Sequence, residues 1–290
     1  MPVQPLLQPH KSLKEVSTFG IGGAARLFTV VSTVEEMQAA LRYSFLEKIP
    51  FFILGKGSNC LFDDRGFDGL VIQNKISYLK IEGNEVDVGS GYSFSMLGLK
   101  TAKEHLAGLE FASGIPATVG GAVFMNAGAN GSETADHLQE VLFLDEKGDL
   151  HSFEKKDLVF SYRFSSFQSM KGAIISAKFV LTPSQAARDK QFTIIEYRKK
   201  TQPYQDPSIG CVFKNPEGAR AGALIEKSGL KGFSIGGAEV SSMHANFIIN
   251  KGNASAQDVL DLAREVERLV KDSTGVKLEM EIRCIPYQIL

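Results

Sequence analysis

FASGIPATVGGAVFMNAGANG, residues 111–131, is the stretch on which the fold turns. It has no charged side chain and carries glycine at 114, 120, 121, 128 and 131. A backbone this bare is expected to approach something closely. The segments leading into it read as strands at 78–81 and 85–88 and a helix at about 95–107, ended by Gly108. The segments leading out read as a hairpin, 141–144 with 150–153 across 146–149, and then a strand from 173 to 181. Strands and long helices do not alternate as a βαβ series would require, so the predicted class is α+β.

The same reading extends toward both ends. Residues 1–17 read as an irregular arm, with prolines at 2, 5 and 9. Thr33 and Glu36 form a capping box for a helix over 33–47, with Val34, Met37 and Leu41 as its apolar stripe and Pro50 beyond it. Short buried strands follow at 51–54, ending in Gly55, and at 70–72. The polar stretch 183–191 reads as a connector between domains. Beyond it, Ser255 and Asp258 cap a helix with the stripe Val259, Leu262, Ala263, Val266, Leu269 and Val270. Residues 277–285 alternate as a strand should, with Leu278, Met280, Ile282 and Cys284 on one face and Glu279, Glu281 and Arg283 on the other.

Composition narrows the function. A chain of 290 residues predicts two domains. With 32 basic and 33 acidic residues, the net charge of -1 gives no electrostatic case for nucleic acid or an anionic membrane. Cys60, Cys211 and Cys284 are odd in number and far apart, which argues against a disulfide framework or a zinc site and favours a reducing compartment. No apolar run is long enough for a transmembrane helix, and the N-terminus lacks a secretory pattern, so the expected address is the cytoplasm.

Two familiar nucleotide signatures fail. Residues 20–25 fit G-x-G-x-x-A, but no apolar strand precedes them and no helix follows. Gly55-Lys56-Gly57-Ser58 resembles the end of a phosphate loop, but Pro50 stands where its first glycine belongs. The five histidines have no metal-ligand spacing, so no metal is expected. Two glycine-rich turns survive. Gly55, Lys56, Gly57, Ser58 and Asn59 follow a buried strand, where small residues free N–H groups for an anion and Ser58 and Asn59 add side-chain donors. The second runs from Ser113 to Ala122 through Gly114, Ile115, Pro116, Gly120 and Gly121. Each reads equally well as a tight packed turn, but two in one domain favour a diphosphate-bearing cofactor. Three further features could carry chemistry: Ser161-Tyr162-Arg163, the thiol in Gly210-Cys211-Val212-Phe213-Lys214-Asn215-Pro216, and Glu281 with Arg283 near the C-terminus. Singly, each also fits a bland reading as surface or core.

Together and in this order, the motifs are specific. With Ser17-Thr18-Phe19-Gly20-Ile21-Gly22-Gly23, Ala221-Gly222-Ala223-Leu224-Ile225-Glu226, His244-Ala245-Asn246 and Leu278-Glu279-Met280-Glu281-Ile282-Arg283, the chain resembles the UDP-N-acetylenolpyruvoylglucosamine reductase family from about 17 to 285. It is similar to the shorter type, which lacks an extra substrate-covering tyrosine loop. The resemblance implies an FAD-binding region of the vanillyl-alcohol-oxidase (PCMH) type over 1–185, in lobes of about 1–75 and 76–185. It implies a UDP-sugar domain over 186–290. Both glycine turns are then expected to bind the FAD diphosphate through backbone N–H groups, with Asn126, Ala127 and Gly128 lying along the cofactor. A monomer is expected.

The implied reaction has two steps. NADPH reduces FAD, and reduced flavin delivers hydride to the vinyl carbon of UDP-N-acetylglucosamine enolpyruvate. Negative charge then builds beside the substrate carboxylate and must be stabilised and protonated. Arg163 matches the family's carboxylate-binding arginine, whose fork suits a carboxylate. Glu281 matches its catalytic glutamate, and donating a hydrogen bond would require a raised pKa. Cys211 stands where the family commonly has serine; a thiol, at about 8.5, is a far stronger acid than an alcohol. Tyr162, Lys214, Asn215, His244 and Asn246 are implied substrate contacts. Thr201 replaces a frequent family lysine, and Lys200 is assigned its phosphate or nicotinamide contact. The alternatives left open are a UDP-sugar binder without FAD and a flavin oxidase of the same cofactor fold.

Overall fold

The computed structural model describes residues 4–288, so Pro2 of the N-terminal arm lies outside the described residues. The chain divides into two compact units. One takes the described part of 1–8 with 27–55 and 69–198; the other takes 9–26, 56–68 and 199–290.

In the first unit, α1 spans Val34–Leu46, and Thr33 and Glu36 close the expected capping box. Such a cap stabilises a helix by about 1 kcal/mol. The buried Met37, Ala40 and Leu41 of α1 join Leu70, Ile72, Leu144 and Ile175 in one core cluster. The strand Phe51–Leu54 pairs in parallel with the latter half of Gly66–Asn74. A second sheet is antiparallel throughout, in the order Leu150–Glu154, Leu138–Asp145, Gly172–Val180, Glu85–Gly89, Leu79–Glu82. The helix expected to reach 107 is α2, Phe94–Lys103. It stops early because His105 takes a φ of 56°, and Leu106–Ala107 then pairs with Thr182–Pro183. Inside the glycine-rich stretch lies α3, Val119–Met125, capped by Thr118. The polar stretch after 186 is helical: α4 runs from Ala187 to Thr201. Its inward face is Ala187, Gln191, Ile194 and Arg198, too polar to register as an apolar stripe.

In the second unit, α5 spans Ala221–Lys227 and α6 spans Ala256–Thr274. The stripe of α6 is buried as expected, at Val259, Leu262, Ala263, Val266 and Val270. It packs with Ile209, Val212, Phe213, Ile248 and Leu278. The sheet of this unit is antiparallel, in the order Ser208–Cys211, Phe247–Asn250, Ala238–Val240, Ser234–Ile235.

Two expectations change. The N-terminal arm is not irregular: Gln8–Ser12 is a strand and Leu13–Val16 a 3₁₀ turn. Residues 277–285 are not one strand. Only Arg283–Ile285 is, and the alternation breaks there, with Cys284 exposed and Ile285 buried. Met280 bridges Phe213, whereas Arg283–Ile285 adds in parallel to Cys60–Phe62, so two partners impose two registers. The junction of the two compact units falls within α4, and 56–68 groups with the C-terminal residues. The cause is long-range bonding: besides the parallel pair, Asp64 caps α6 by accepting from the N–H groups of Ala256 at 2.8 Å and Gln257 at 3.2 Å.

Candidate active site

The two glycine turns differ in their backbone donors. Gly57 is buried, yet its N–H has no hydrogen-bond partner among the described residues, and neither do the N–H and hydroxyl of Ser58. Unsatisfied donors cost about 1–3 kcal/mol each when buried. A turn that presents them is built to receive an acceptor. In the second turn the N–H of the buried Thr118 is likewise without a partner among the described residues. The N–H groups of Gly114, Ile115, Ala117, Val119, Gly120, Gly121 and Ala122 are all taken up inside the unit. Pro116 has none. Gly121 is exposed, and a Cβ there would meet only Thr118 Oγ1, at 3.4 Å. The Ser113 hydroxyl is fully buried without a partner. Gly55 is required for packing: a Cβ would come within 2.5 Å of Thr118 Oγ1.

Asn126 ends α3 at a left-handed φ of 43° and is fully buried. Its Nδ2 donates to Ser161 O at 2.9 Å and its Oδ1 accepts from Ala135 N at 3.0 Å. Its amide therefore ties the end of α3 to Ser161 and Ala135. Ala127 and Gly128 are likewise engaged. Ala127 O accepts from the N–H and hydroxyl of Thr134, and Gly128 pairs with Glu133 in a small hairpin.

Ser161 leads to Arg163. Phe160–Ser161 and Phe164–Ser165 pair antiparallel, so Tyr162 and Arg163 form a two-residue turn. Arg163 has a φ of 60°, and its guanidinium lies 4.8 Å from the centre of the half-exposed Tyr162 ring. Gln168, which the sequence reading missed, donates from Nε2 to both Arg163 O and Phe124 O at 3.0 Å. Ser165 Oγ donates to the same Phe124 carbonyl at 2.7 Å. The turn is thus tied to the end of α3 by Asn126, Ser165 and Gln168. An amide five residues past the arginine was the only signal for Gln168.

Cys211 and Glu281 belong to the second unit, and the fold brings their backbones together. Gly210 takes a φ of 82°, and the ladder shifts register between Ser208 and Cys211, so a bulge re-aims the half-buried cysteine. Glu281 N donates to Val212 O at 2.7 Å, which places the glutamate's backbone beside the residue that follows Cys211. Asn59 Nδ2 makes a long 3.5 Å contact with Glu281 O, and Arg283 N donates to Asn59 O at 2.9 Å.

The other expected contacts are more occupied than the sequence suggested. Lys214 pairs with Glu279 at 2.5 Å. Asn215 Oδ1 accepts from Ala221 N at 3.0 Å, at the start of α5. His244 Nδ1 accepts from Asn246 N at 3.2 Å, which fixes the neutral ring as the Nε2–H tautomer. Asn246 is 3% exposed, with both ends of its amide on Phe213. Lys200 is exposed on α4. Among the described residues no group of three or more His, Cys, Asp or Glu side chains could hold a metal ion. None of their helices is long and apolar enough to cross a membrane.

Comparison with known proteins supplies the context for this geometry. Residues 202–285 match a model described as UDP-N-acetylenolpyruvoylglucosamine reductase, C-terminal domain, and residues 25–154 match one described as FAD binding domain. The UDP-N-acetylenolpyruvoylglucosamine reductase of Protochlamydia amoebophila is 59% identical over 97% of this chain and 95% of its own. The chain belongs to the UDP-N-acetylenolpyruvoylglucosamine reductase family. A second relative of that name, from Chlamydia muridarum, is 47% identical over 97% of this chain and 95% of its own. The crystal structure of the reductase from Thermus caldophilus superposes with a TM-score of 0.82 at 35% identity, over 98% of this chain and 99% of that one. The expected α+β fold, an FAD-binding region followed by the family's C-terminal domain, is the one found, and the chain is an FAD-dependent oxidoreductase. Its residues suit that cofactor. The open donors of Gly57 and Ser58 are what a polyanionic ligand needs, and Gly121, in the other unit, offers a bare exposed backbone.

Proposed function

We propose that this chain reduces UDP-N-acetylglucosamine enolpyruvate to UDP-N-acetylmuramate, with NADPH as the source of hydride, in the synthesis of peptidoglycan precursors. The observation that supports this most is chemical. A backbone bond from Glu281 to Val212 sets a carboxyl group's residue beside a thiol's residue, in a chain whose relatives carry the reductase name.

FAD, when bound, takes hydride from the nicotinamide and passes it to the vinyl carbon of the enolpyruvyl group. The residues that would hold it are Gly55, Lys56, Gly57, Ser58 and Asn59 at its diphosphate. The stretch Gly114, Ile115, Pro116, Gly120, Gly121 and Ala122 would lie against it as bare backbone, with the Ser113 hydroxyl as a polar contact. Arg163 binds the substrate carboxylate, and its guanidinium offsets the charge that spreads onto the carboxylate as hydride arrives. Glu281, protonated, donates to the same developing enolate. Cys211 then gives its proton to the carbon beside the carboxylate. The thiolate left behind regains a proton from solvent, so each turnover consumes one NADPH and one proton. Tyr162 shapes the carboxylate end. Lys214, Asn215 and His244 line the sugar nucleotide's side, and Lys200 meets a phosphate.

The test is an anaerobic absorption experiment on the purified flavoprotein. Bound flavin should bleach on addition of NADPH and recover on addition of the enolpyruvyl UDP-sugar. Flavin that bleaches but recovers only when oxygen is admitted would contradict the reductase reading and favour an oxidase. A protein that takes up no FAD would contradict both.

A further inference from the structure

Asn246 does for residues 211–214 what a neighbouring strand would otherwise do. The ladder between Ser208–Cys211 and Phe247–Asn250 has Cys211 opposite Phe247 as its last pair. Past that point the chain at Asn246 is already turning. Its side-chain amide replaces the missing peptide group: Nδ2 donates to Phe213 O at 2.8 Å, and Oδ1 accepts from Phe213 N at 2.9 Å. A carboxamide has the same donor and acceptor as a peptide, so the substitution is chemically like for like. The Asn246 carbonyl also accepts from Val212 N at 2.8 Å. On the opposite edge, Val212 O accepts from Glu281 N at 2.7 Å, Lys214 N donates to Glu279 O at 2.8 Å, and Phe213 bridges Met280. Residues 212–214 are therefore held from both sides, by Asn246 on one and by 279–281 on the other. The His244 ring accepts from Asn246 N and so holds the clamp itself in place.

We propose that Asn246 is a positioning residue for the proton-transfer step: it sets the offset of Cys211 from Glu281 without touching the substrate. The inference rests on the function proposed above. Its force comes from geometry. Proton donation to carbon needs the thiol within a few tenths of an ångström of its place, and a misplacement of about 1 Å costs roughly 100-fold. Phe213, once released, is free to pull away from the 279–281 edge and carry Cys211 with it.

The experiment compares Asn246→Ala with Asn250→Ala in the flavoprotein. Asn250 is a matched control in the same sheet. It is 8% exposed and equally engaged, with Nδ2 on Phe19 O at 3.0 Å and Oδ1 accepting from Gly252 N at 2.8 Å and Ala254 N at 3.0 Å. Three quantities are measured anaerobically: flavin reduction by NADPH, flavin reoxidation by saturating enolpyruvyl UDP-sugar, and the KM for that sugar. A thermal midpoint is taken for each variant. Both variants should melt lower than wild type by similar amounts. Asn246→Ala should slow reoxidation roughly 30- to 100-fold with KM within about 3-fold, and leave reduction by NADPH unchanged. Asn250→Ala should leave all three rates near wild type. Should Asn246→Ala fail to fold, Asn246→Ser, which keeps a hydroxyl, is read by the same criteria. A raised KM with unchanged maximal reoxidation would overturn the inference in favour of direct substrate binding. Unchanged reoxidation in the Asn246 variant would overturn it in favour of a purely structural role. Wild-type flavin that the sugar does not reoxidise would instead contradict the function on which it rests.

Discussion

Arg163 and Cys211 are presented in two ways that look alike and differ at one atom. Each sits at an irregular point of a short antiparallel pair, and each is braced by asparagine or glutamine amides bonded to backbone. At the arginine turn, the residue with the proposed function also carries the left-handed φ, 60°. At the cysteine bulge, the left-handed φ of 82° belongs to Gly210, one residue earlier. A non-glycine residue in this region costs about 1–2 kcal/mol, whereas glycine adopts it freely. The second position of such a turn favours glycine or asparagine. Glycine there would remove the strain and the guanidinium together, so the fold retains the strain and adds ties to α3 from Asn126, Ser165 and Gln168. Where strain and function fall on neighbouring residues, glycine takes the strain and the cysteine is left relaxed.

The hardest test of this contrast is Arg163→Gly. Reoxidation of flavin by the enolpyruvyl UDP-sugar should fall roughly 1,000-fold in stopped flow, as expected for losing an oriented cationic donor. Thermal stability should nevertheless stay within about 1 kcal/mol of wild type, because relief of strain offsets the added flexibility. A larger loss of stability would show that the turn is not strained by its arginine. Gln168→Met removes the donor shared by Arg163 O and Phe124 O. It should slow the same half-reaction about 10-fold, the equivalent of about 1.4 kcal/mol, and Gln168→Lys, which keeps a donor, should recover most of that. Gly210→Ala probes the other side of the comparison. A Cβ there would meet nothing nearer than Ser58 O at 4.0 Å, so backbone strain alone should lower stability, by about 1–2 kcal/mol in a denaturant melt.

Much of this was legible in the sequence, and the reasons are local. Thr33 with Glu36 and Ser255 with Asp258 mark helix starts through bonds made within a single turn, and both boxes are present. The hairpin at 141–153 and the apolar face of α6 follow from period alone. What stayed hidden depends on distant partners. The glycines and valines of α3 argue against a helix, and Thr118 supplies only a cap. Gln191 and Arg198 on the inward face of α4 concealed a helix behind polar residues. Residues 277–285 alternate like a strand but answer to two partners, Phe213 and Cys60–Phe62. At the candidate site, three asparagines have amides engaged within the protein, which the motifs alone do not show. Asn126, Asn215 and Asn246 each turn an amide to backbone some distance away along the chain. A motif shows that such a residue matters and is silent on whether it faces a ligand or the protein.

The contrast between thiols gives the smallest effect. Burial pushes the Cys60 thiol from its ordinary 9.0 up to about 11, with Arg283 pulling the other way. The folded state therefore disfavours the Cys60 thiolate. The stability this confers is complete below pH 9 and is lost as pH rises from 9 toward 11. Cys60→Ser should flatten that alkaline decline, and alkylation with iodoacetamide at pH 8 should reach Cys211 before Cys60.

The central claim is that Cys211 supplies the proton, and its test is the pH profile of anaerobic flavin reoxidation by the enolpyruvyl UDP-sugar in wild type and Cys211→Ser. A thiol that must hold its proton to act predicts a wild-type rate that falls as pH rises through the Cys211 pKa. The serine variant should remain active and lose that limb, because an alcohol does not ionise in this range. The same alkaline limb in both proteins, or an inactive serine variant with its FAD in place, would contradict the account.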